Sequence, residues 1–109
     1  MPLAVICREL GPPERLVLEE VPRRPLAPGE LRVRHRAAGV NFPDILMCAG
    51  SYQHKPPLPF TPGFEAAGEV IEVAPDVTQF KVGDPTLLHF RTGGYAEESV
   101  VPVSAAMAM

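Results

Sequence analysis

The sequence is poor in the residues that mark several common classes of protein. It contains no tryptophan, only two tyrosines and five phenylalanines among 109 residues, and its net charge is −3. Faces that bind nucleic acid are usually basic, and those that bind single strands also carry stacking aromatic side chains. The acidic balance and the few aromatic residues therefore argue against a nucleic-acid partner.

Cysteines and long apolar runs are also scarce. The two cysteines, Cys7 and Cys48, form no Cys-x-x-Cys pair, and the N-terminus does not have the pattern of a signal peptide. A disulfide between them stays open, although nothing points to secretion. No apolar segment approaches the roughly 20 residues that span a bilayer. We therefore expect a cytoplasmic protein with reduced thiols and no membrane contact.

Proline, by contrast, is abundant. The chain has 14 prolines, and proline opposes long helices because it lacks a donor and clashes with the preceding turn. The hydrophobic fraction of 46% is typical of an ordinary globular domain with a packed core. We expect one domain over residues 1–109, made of short strands joined by rigid loops.

Hydrophobic periodicity predicts where the strands and one helix lie. The predicted strands cover residues 3–7, 16–21, 30–38, 66–74, 87–90 and 95–101. A short helix is predicted over residues 42–49, because Pro43 suits a first-turn position and Gly50 suits a C-terminal stop. This pattern favours a mainly β fold, an antiparallel barrel or sandwich with one short helix.

The strand over residues 30–38 carries alternating arginines. Arg32, Arg34 and Arg36 would share one face while Leu31 and Val33 share the other. Two interpretations stay open: a basic stripe that binds phosphate, and a solvated face of a sheet that is apolar on its other side. The second is favoured, because antiparallel sheets commonly expose one face to solvent.

Three stretches of the sequence carry a family resemblance. They are Ala-Ala-Gly-Val-Asn-Phe-Pro-Asp at 37–44, Pro-Phe-Thr-Pro-Gly-Phe-Glu-Ala-Ala-Gly-Glu-Val-Ile-Glu-Val at 59–73, and Phe-Lys-Val-Gly-Asp at 80–84, continued by Gly-Gly-Tyr-Ala-Glu at 93–97. Their order and spacing resemble the N-terminal domain of the medium-chain dehydrogenase/reductase family, over nearly the whole chain. The resemblance implies a GroES-like, partly open antiparallel barrel.

Zinc-binding members of that family differ from this sequence at two positions. They carry a cysteine where this chain has Asn41 and a histidine where it has Phe64, and neither replacement is a good zinc ligand. Asp44 and Glu65 alone would make a poor zinc site. The other candidate ligands are scattered along the chain: Cys7, Cys48, His35, His54 and His89. The resemblance is therefore to the zinc-independent quinone oxidoreductase branch, which is zeta-crystallin-like, and we expect no metal.

The resemblance also implies a set of site residues. Asn41 and Asp44 would be catalytic, with Asn41 hydrogen-bonded near the nicotinamide carboxamide or the substrate oxygen and Asp44 orienting it. Asn41 and Tyr52 would contact the cofactor, and Phe42, Tyr52 and Phe64 would line the substrate cleft. Structural alternatives stay open: Asn41 as a helix cap, and Asp44 as a first-turn residue that favours the helix dipole.

The function implied by the resemblance is hydride transfer from NADPH to a quinone or an activated alkene such as an enone, without zinc. The sequence has no G-x-G-x-x-G motif, so we expect NADPH to be bound mainly by a second, Rossmann domain that this chain lacks. The isolated chain should then be inactive. A non-catalytic GroES-like domain used for binding or assembly is the alternative. The apolar end, residues 105–109, predicts exposed surface that favours a homodimer.

Overall fold

The computed structural model describes residues 1–53 and 55–109. Its strands are, in chain order, β1 (Leu3–Ile6), β2 (Val17–Glu20), β3 (Glu30–Ala38), β4 (Glu65–Val73), β5 (Pro85–His89), β6 (Glu98–Pro102) and β7 (Ala106–Ala108). The α-helix α1 spans Phe42–Ala49, and two short 3-10 turns cover Pro13–Arg15 and Val103–Ala105. Within the described residues, no helix is long and apolar enough to cross a membrane.

Five strands form one antiparallel sheet in the order β6-β3-β4-β5-β7, while β1 and β2 pair as a separate antiparallel ribbon. The five-stranded sheet curls into half a barrel, and α1 is the only α-helix of the described part of the chain. The predicted fold class, a mainly β GroES-like barrel that is partly open, is confirmed. The predicted helix over residues 42–49 has the bounds of α1.

Two apolar clusters form the core. The larger cluster lies against the five-stranded sheet and contains Leu31, Val33, Val70, Ala74, Val77, Phe80, Leu88 and Val101. The smaller cluster lies under α1 and contains Cys7, Met47, Cys48 and Phe60. Both cysteines are free thiols, so the disulfide alternative is wrong. The smaller cluster fixes α1 against the end of β1, and α1 carries the candidate site at its N-terminus.

The expected solvated arginine face of β3 is wrong for Arg32. The pairing of β3 with β4 shifts register between Arg32 and Val33, and the Arg32 side chain is buried, with 5% of the residue exposed. Its guanidinium donates to Glu72 at 2.8 Å and lies 3.8 Å from Glu98. The unpaired residue of this bulge, Ile71, lies on β4, so β3 keeps its alternation. Arg32 is buried because Glu72, Glu98 and the carbonyl of Arg24 cover its side chain. Arg34 and Arg36 are exposed and pair with Glu69.

The apolar C-terminal end is only partly as expected. Ala106–Ala108 forms β7 at the edge of the sheet, and the Thr86 hydroxyl donates to the carbonyl of Met107 at 2.8 Å. The side chains of Met107 and Met109 nevertheless stay exposed, with 58% and 68% of each residue accessible. The segment therefore gains backbone order from β5 while it keeps apolar surface.

Candidate functional site

The N-terminus of α1 is closed by a reciprocal cap between Asn41 and Asp44. The Asn41 backbone N–H donates to Asp44 Oδ2 at 2.8 Å, and the Asp44 N–H donates to the Asn41 carbonyl at 3.0 Å. Asn41 has extended backbone angles, φ −123° and ψ 153°, and Pro43 occupies the first turn. The interpretation of Asn41 as the N-cap residue of the helix is therefore confirmed. The cap also holds the Asn41 backbone in place, and with it the Cα atom from which the side chain extends.

Asp44 is buried beneath the cap, with 2% of the residue exposed. Its Oδ2 atom accepts a second hydrogen bond from the hydroxyl of Tyr95 at 2.7 Å. Its Oδ1 atom is buried and has no hydrogen-bond partner among the described residues. A buried carboxylate with two donors on one oxygen is held in one orientation, since rotation would break both bonds.

Tyr95 was not among the predicted site residues. It belongs to the Gly-Gly-Tyr-Ala-Glu segment, which served only as a family marker, and was predicted to lie in a strand. The structure places it in the loop before β6 instead. Burial, and after it the Asp44 carboxylate, raises the pKa of the Tyr95 hydroxyl above its ordinary value. The hydroxyl therefore stays protonated and keeps donating to Asp44.

The Asn41 side-chain amide faces the start of β4. Its Nδ2 donates to Glu65 Oε1 at a long 3.4 Å, and Asn41 is half-buried. Gly39 makes room for this contact, because a Cβ atom there would lie 2.2 Å from the same Glu65 oxygen. The Gly39 N–H also donates to the Glu65 carbonyl at 3.2 Å. The amide thus has one weak partner and remains available to a ligand.

Tyr52 and Phe64 form an aromatic wall at the start of β4, where Phe64 precedes Glu65. Their rings meet edge to face with centroids 6.1 Å apart, a favourable arrangement for aromatic pairs. They border a cavity of about 840 Å³ that, among the described residues, is also lined by Gln53, His89, Phe90 and Arg91. A second cavity of about 410 Å³ also borders His89 and includes Gly39 and Glu65 in its lining. The Asn41 contact and the aromatic wall therefore belong to adjoining surfaces.

Phe42 stands apart from that wall. It is the first residue of α1, 69% of it is exposed, and it is not among the residues that line the aromatic cavity. The structure therefore brings together Tyr52 and Phe64 of the predicted cleft, and Asn41 with Asp44. It leaves the ring of Phe42 on the open surface in front of α1.

The donor atoms near Asn41 do not suit a metal ion. In the described part of the chain, no three side chains of histidine, cysteine, aspartate or glutamate come together in a metal-binding group. Asp44 is occupied by its two donors, and the Phe64 ring, at the position of the family's zinc-binding histidine, packs on Tyr52. His35 is committed elsewhere, to Ser99 Oγ at 2.7 Å and the Gly94 carbonyl at 3.2 Å. The prediction for His54 lies outside the described residues.

Comparison with known proteins gives the family. The model of the alcohol dehydrogenase GroES-like domain matches residues 27–109. The mouse quinone oxidoreductase-like protein 2 is 53% identical over 81 residues, which are 74% of this chain and 23% of that protein. Its homolog from Nematostella vectensis is 47% identical over 104 residues, which are 94% of this chain and 28% of that one. This chain thus spans about a quarter of the curated relatives it matches.

A solved structure agrees with the sequence relatives. The Escherichia coli quinone oxidoreductase complexed with NADPH superposes with a TM-score of 0.91 and 30% identity, over 98% of this chain and 33% of that one. The matched region contains Asn41, Asp44 and the aromatic pair. The chain therefore belongs to the family of alcohol dehydrogenase GroES-like domains, and its relatives are quinone oxidoreductase-like proteins.

Proposed function

We propose that this chain is the substrate-side domain of an NADPH-dependent reductase that acts on quinones or activated alkenes without zinc. The observation that carries the proposal is the Asn41 amide, which is anchored by the helix cap and contacts Glu65, the residue that follows Phe64 of the aromatic cavity. An amide donor in a fixed position can bind a carbonyl oxygen that gains negative charge during reduction. Tyr52 and Phe64 provide the apolar faces that a flat conjugated ring needs.

Each predicted residue has a separate part in this proposal. Asn41 donates to the substrate carbonyl or to the nicotinamide carboxamide, and Asp44 orients Asn41 through the cap. Tyr52 contacts the cofactor ring, and Tyr52, Phe64 and the exposed Phe42 bound the substrate. NADPH, when bound, supplies the hydride. The described residues offer an amide and aromatic faces for its nicotinamide end, and the sequence has no glycine-rich phosphate loop. A second, Rossmann domain would therefore bind the phosphates, and the chain alone would be inactive.

The absence of zinc is part of the proposal and rests on the donor set. An asparagine and a phenylalanine stand where a zinc site needs a thiolate and an imidazole. Quinones and enones are strongly electrophilic acceptors, so the reaction needs less help from a Lewis acid than aldehyde reduction does. The same activity before and after treatment with a chelator is the expected result. Loss of activity on chelation, with recovery on adding zinc, would contradict this part.

The test is to join the chain to the nucleotide-binding domain of a relative, such as the Escherichia coli enzyme, and to follow NADPH oxidation with 1,4-benzoquinone. Asn41→Ser is the informative variant, because serine is a favourable N-cap residue and keeps the backbone N–H that donates to Asp44, while the amide is removed. Loss of one hydrogen-bond donor to developing charge costs about 10²-fold in kcat. Gln79→Ala is the matched control, because it removes an exposed amide from the loop between β4 and β5.

An active fusion with unchanged kcat in Asn41→Ser would refute the role of the amide. A fusion that folds, binds NADPH and reduces neither a quinone nor an enone would favour the second candidate, a non-catalytic GroES-like domain for binding or assembly. The exposed Met107 and Met109 favour that candidate's self-association, and we include a homodimer in the proposal. Sedimentation of the chain as a monomer at high concentration would refute the proposed homodimer.

We also propose a cytoplasmic location, which cell fractionation tests.

A further inference from the structure

We propose that Tyr95 is a positioning residue for Asn41, and that it acts through the buried carboxylate of Asp44. A hydroxyl from a loop far along the chain would thereby set the direction of the amide at the N-terminus of α1. The inference deepens the proposed function and rests on it, since Asn41 has a catalytic part only there. Tyr95 itself would touch neither substrate nor cofactor.

The geometry links the three residues through a single oxygen atom. Asp44 Oδ2 accepts from the Asn41 N–H at 2.8 Å and from the Tyr95 hydroxyl at 2.7 Å. The other carboxylate oxygen has no partner among the described residues, so it gives Asp44 no further anchor. Because Asn41 and Asp44 both belong to the first turn of a helix, they hold only each other. Apart from the long contact between the Asn41 amide and Glu65, Tyr95 is therefore the side chain that links this cap to the rest of the fold among the described residues.

Tyr95 is suited to that part because its own backbone is tied on both sides. Its N–H donates to the Pro62 carbonyl at 2.9 Å, and its carbonyl accepts from the Val5 N–H at 2.8 Å. Next to it, the Gly94 N–H donates to the Gly63 carbonyl at 3.2 Å. The loop is thus fastened to β1 and to the segment that leads into β4. The phenol hydroxyl extends from this fixed backbone to Asp44, so the cap of α1 is held at a fixed position relative to β1 and β4.

The chemistry of the phenol favours orientation over proton transfer. Burial and the neighbouring carboxylate raise the pKa of Tyr95, so the group remains a donor at neutral pH. A permanent donor keeps the carboxylate in one rotamer. That rotamer holds the Asn41 N–H, and the Asn41 backbone then determines where its side-chain amide points. Removal of the hydroxyl frees the carboxylate to rotate without changing the composition of the cleft.

The first readout uses the 109-residue chain and no cofactor. Tyr95→Phe is compared with wild type by hydrogen exchange at the Asn41 backbone amide, with the Val70 amide in the core as the internal reference. Thr86→Val is the matched control, because it deletes another hydrogen-bonded hydroxyl, which donates to the Met107 carbonyl in the β5–β7 pair. Exchange at Asn41 should accelerate by about tenfold or more in Tyr95→Phe alone, relative to Val70.

The second readout uses the two-domain fusion. Tyr95→Phe should lower kcat by about 10- to 100-fold, since a misdirected catalytic group costs that much, and should leave the KM for the quinone within about twofold. In the background of Asp44→Asn, which weakens the acceptor, Tyr95→Phe should add little further loss because both changes break the same link. Additive losses would overturn the route through Asp44.

The outcomes separate this inference from the proposed function. If Asn41→Ser lowers kcat while Tyr95→Phe changes neither kcat nor Asn41 exchange, positioning by Tyr95 is overturned and the proposed function stands. If Tyr95→Phe and Thr86→Val have equal effects, the hydroxyl has only a structural role, and the inference also fails. If Asn41→Ser is without effect, the proposed function fails, while the exchange data still decide the link. If Tyr95→Phe does not fold, Asp44→Asn replaces it, because it weakens the acceptor that joins Tyr95 to Asn41. Unchanged hydrogen exchange at the Asn41 amide in Asp44→Asn would overturn the inference.

Discussion

Substitution of Gly68 by alanine should destabilise the whole domain, because two strands meet there at backbone contact distance. A Cβ atom on Gly68 would lie 2.0 Å from the carbonyl oxygen of Arg34, in the centre of the β3–β4 pair. Atoms of this kind rest at about 3.5 Å, so the strands would have to separate by more than about 1 Å. Nothing in the backbone can rotate away, because Gly68 pairs with His35 inside the ladder.

The expected change in the free energy of unfolding combines two costs in the folded state with one gain from the unfolded state. Overpacking costs about 1–3 kcal/mol, and each ladder hydrogen bond stretched beyond reach costs about 1 kcal/mol more. Alanine reduces the entropy of the unfolded chain, which returns about 0.4–1 kcal/mol. The net expectation is a loss of about 3 kcal/mol. A domain of this size has about 5–15 kcal/mol in total, so the variant should still fold at low temperature.

Gly39→Ala is the matched control, with nearly the same nominal clash. The Cβ atom at Gly39 would lie 2.2 Å from Glu65 Oε1, which is the end of a flexible and exposed side chain. Glu65 can rotate away, so the free energy of unfolding should change by less than about 1 kcal/mol. The contact between Glu65 and the Asn41 amide would be lost instead. The substitution at Gly68 therefore tests the packing of the β3–β4 pair, and the one at Gly39 tests the contact between Glu65 and Asn41.

Urea unfolding followed by far-UV circular dichroism measures both variants, since the chain has no tryptophan for fluorescence. With a slope of about 1–3 kcal/mol per molar urea, Gly68→Ala should lower the midpoint by about 1–3 M. At the same slope, Gly39→Ala should lower the midpoint by less than about a third as much. A Gly68→Ala midpoint equal to that of Gly39→Ala would refute the argument that backbone proximity at the β3–β4 pair decides stability.

Three further outcomes follow from the charges and thiols. Burial, together with the Cys7 thiol, raises the pKa of Cys48 to about 11. Iodoacetamide at pH 8 should therefore label Cys48 at least ~100-fold more slowly than an ordinary thiol, as measured by mass spectrometry. Unfolding the chain in urea should remove this protection. Arg32→Ala should cost about 2 kcal/mol in urea unfolding, because it removes a buried guanidinium that donates to Glu72, whereas Arg34→Ala, at an exposed position of the same strand, should cost less than about 1 kcal/mol. The Arg24 guanidinium and the Ala27 N–H lower the pKa of Glu30 from 4.5 to about 2. A carboxylate with a lowered pKa contributes stability that is fully present above about pH 4.5 and is lost as the pH falls toward about 2. Glu30→Gln should therefore make the urea midpoint depend less on pH over that window. An unchanged pH dependence in Glu30→Gln would refute this contribution.

The candidate site divides into parts that local sequence could predict and parts that it could not. The cap of α1 was predictable, because Asn41, Pro43 and Gly50 act on the turns beside them. The family resemblance put Tyr52 and Phe64 in one cleft, and the structure supplies their ring contact, whereas the contact of Asn41 with Glu65 was not predicted. The hydroxyl of Tyr95 on Asp44 gave no local signal, since the two residues are 51 positions apart.

The sequence by itself determined the bounds of α1 and β3 and the mainly β class, because capping and period-two alternation act between residues a few positions apart. Only the tertiary structure decided that Arg32 is buried, that residues 106–108 become an edge strand, and that Tyr95 leaves the strand it was predicted to join. Each of these depends on which distant segments of the chain pack against one another. Register is set by which distant residues can pack together, and no short window of sequence contains both partners.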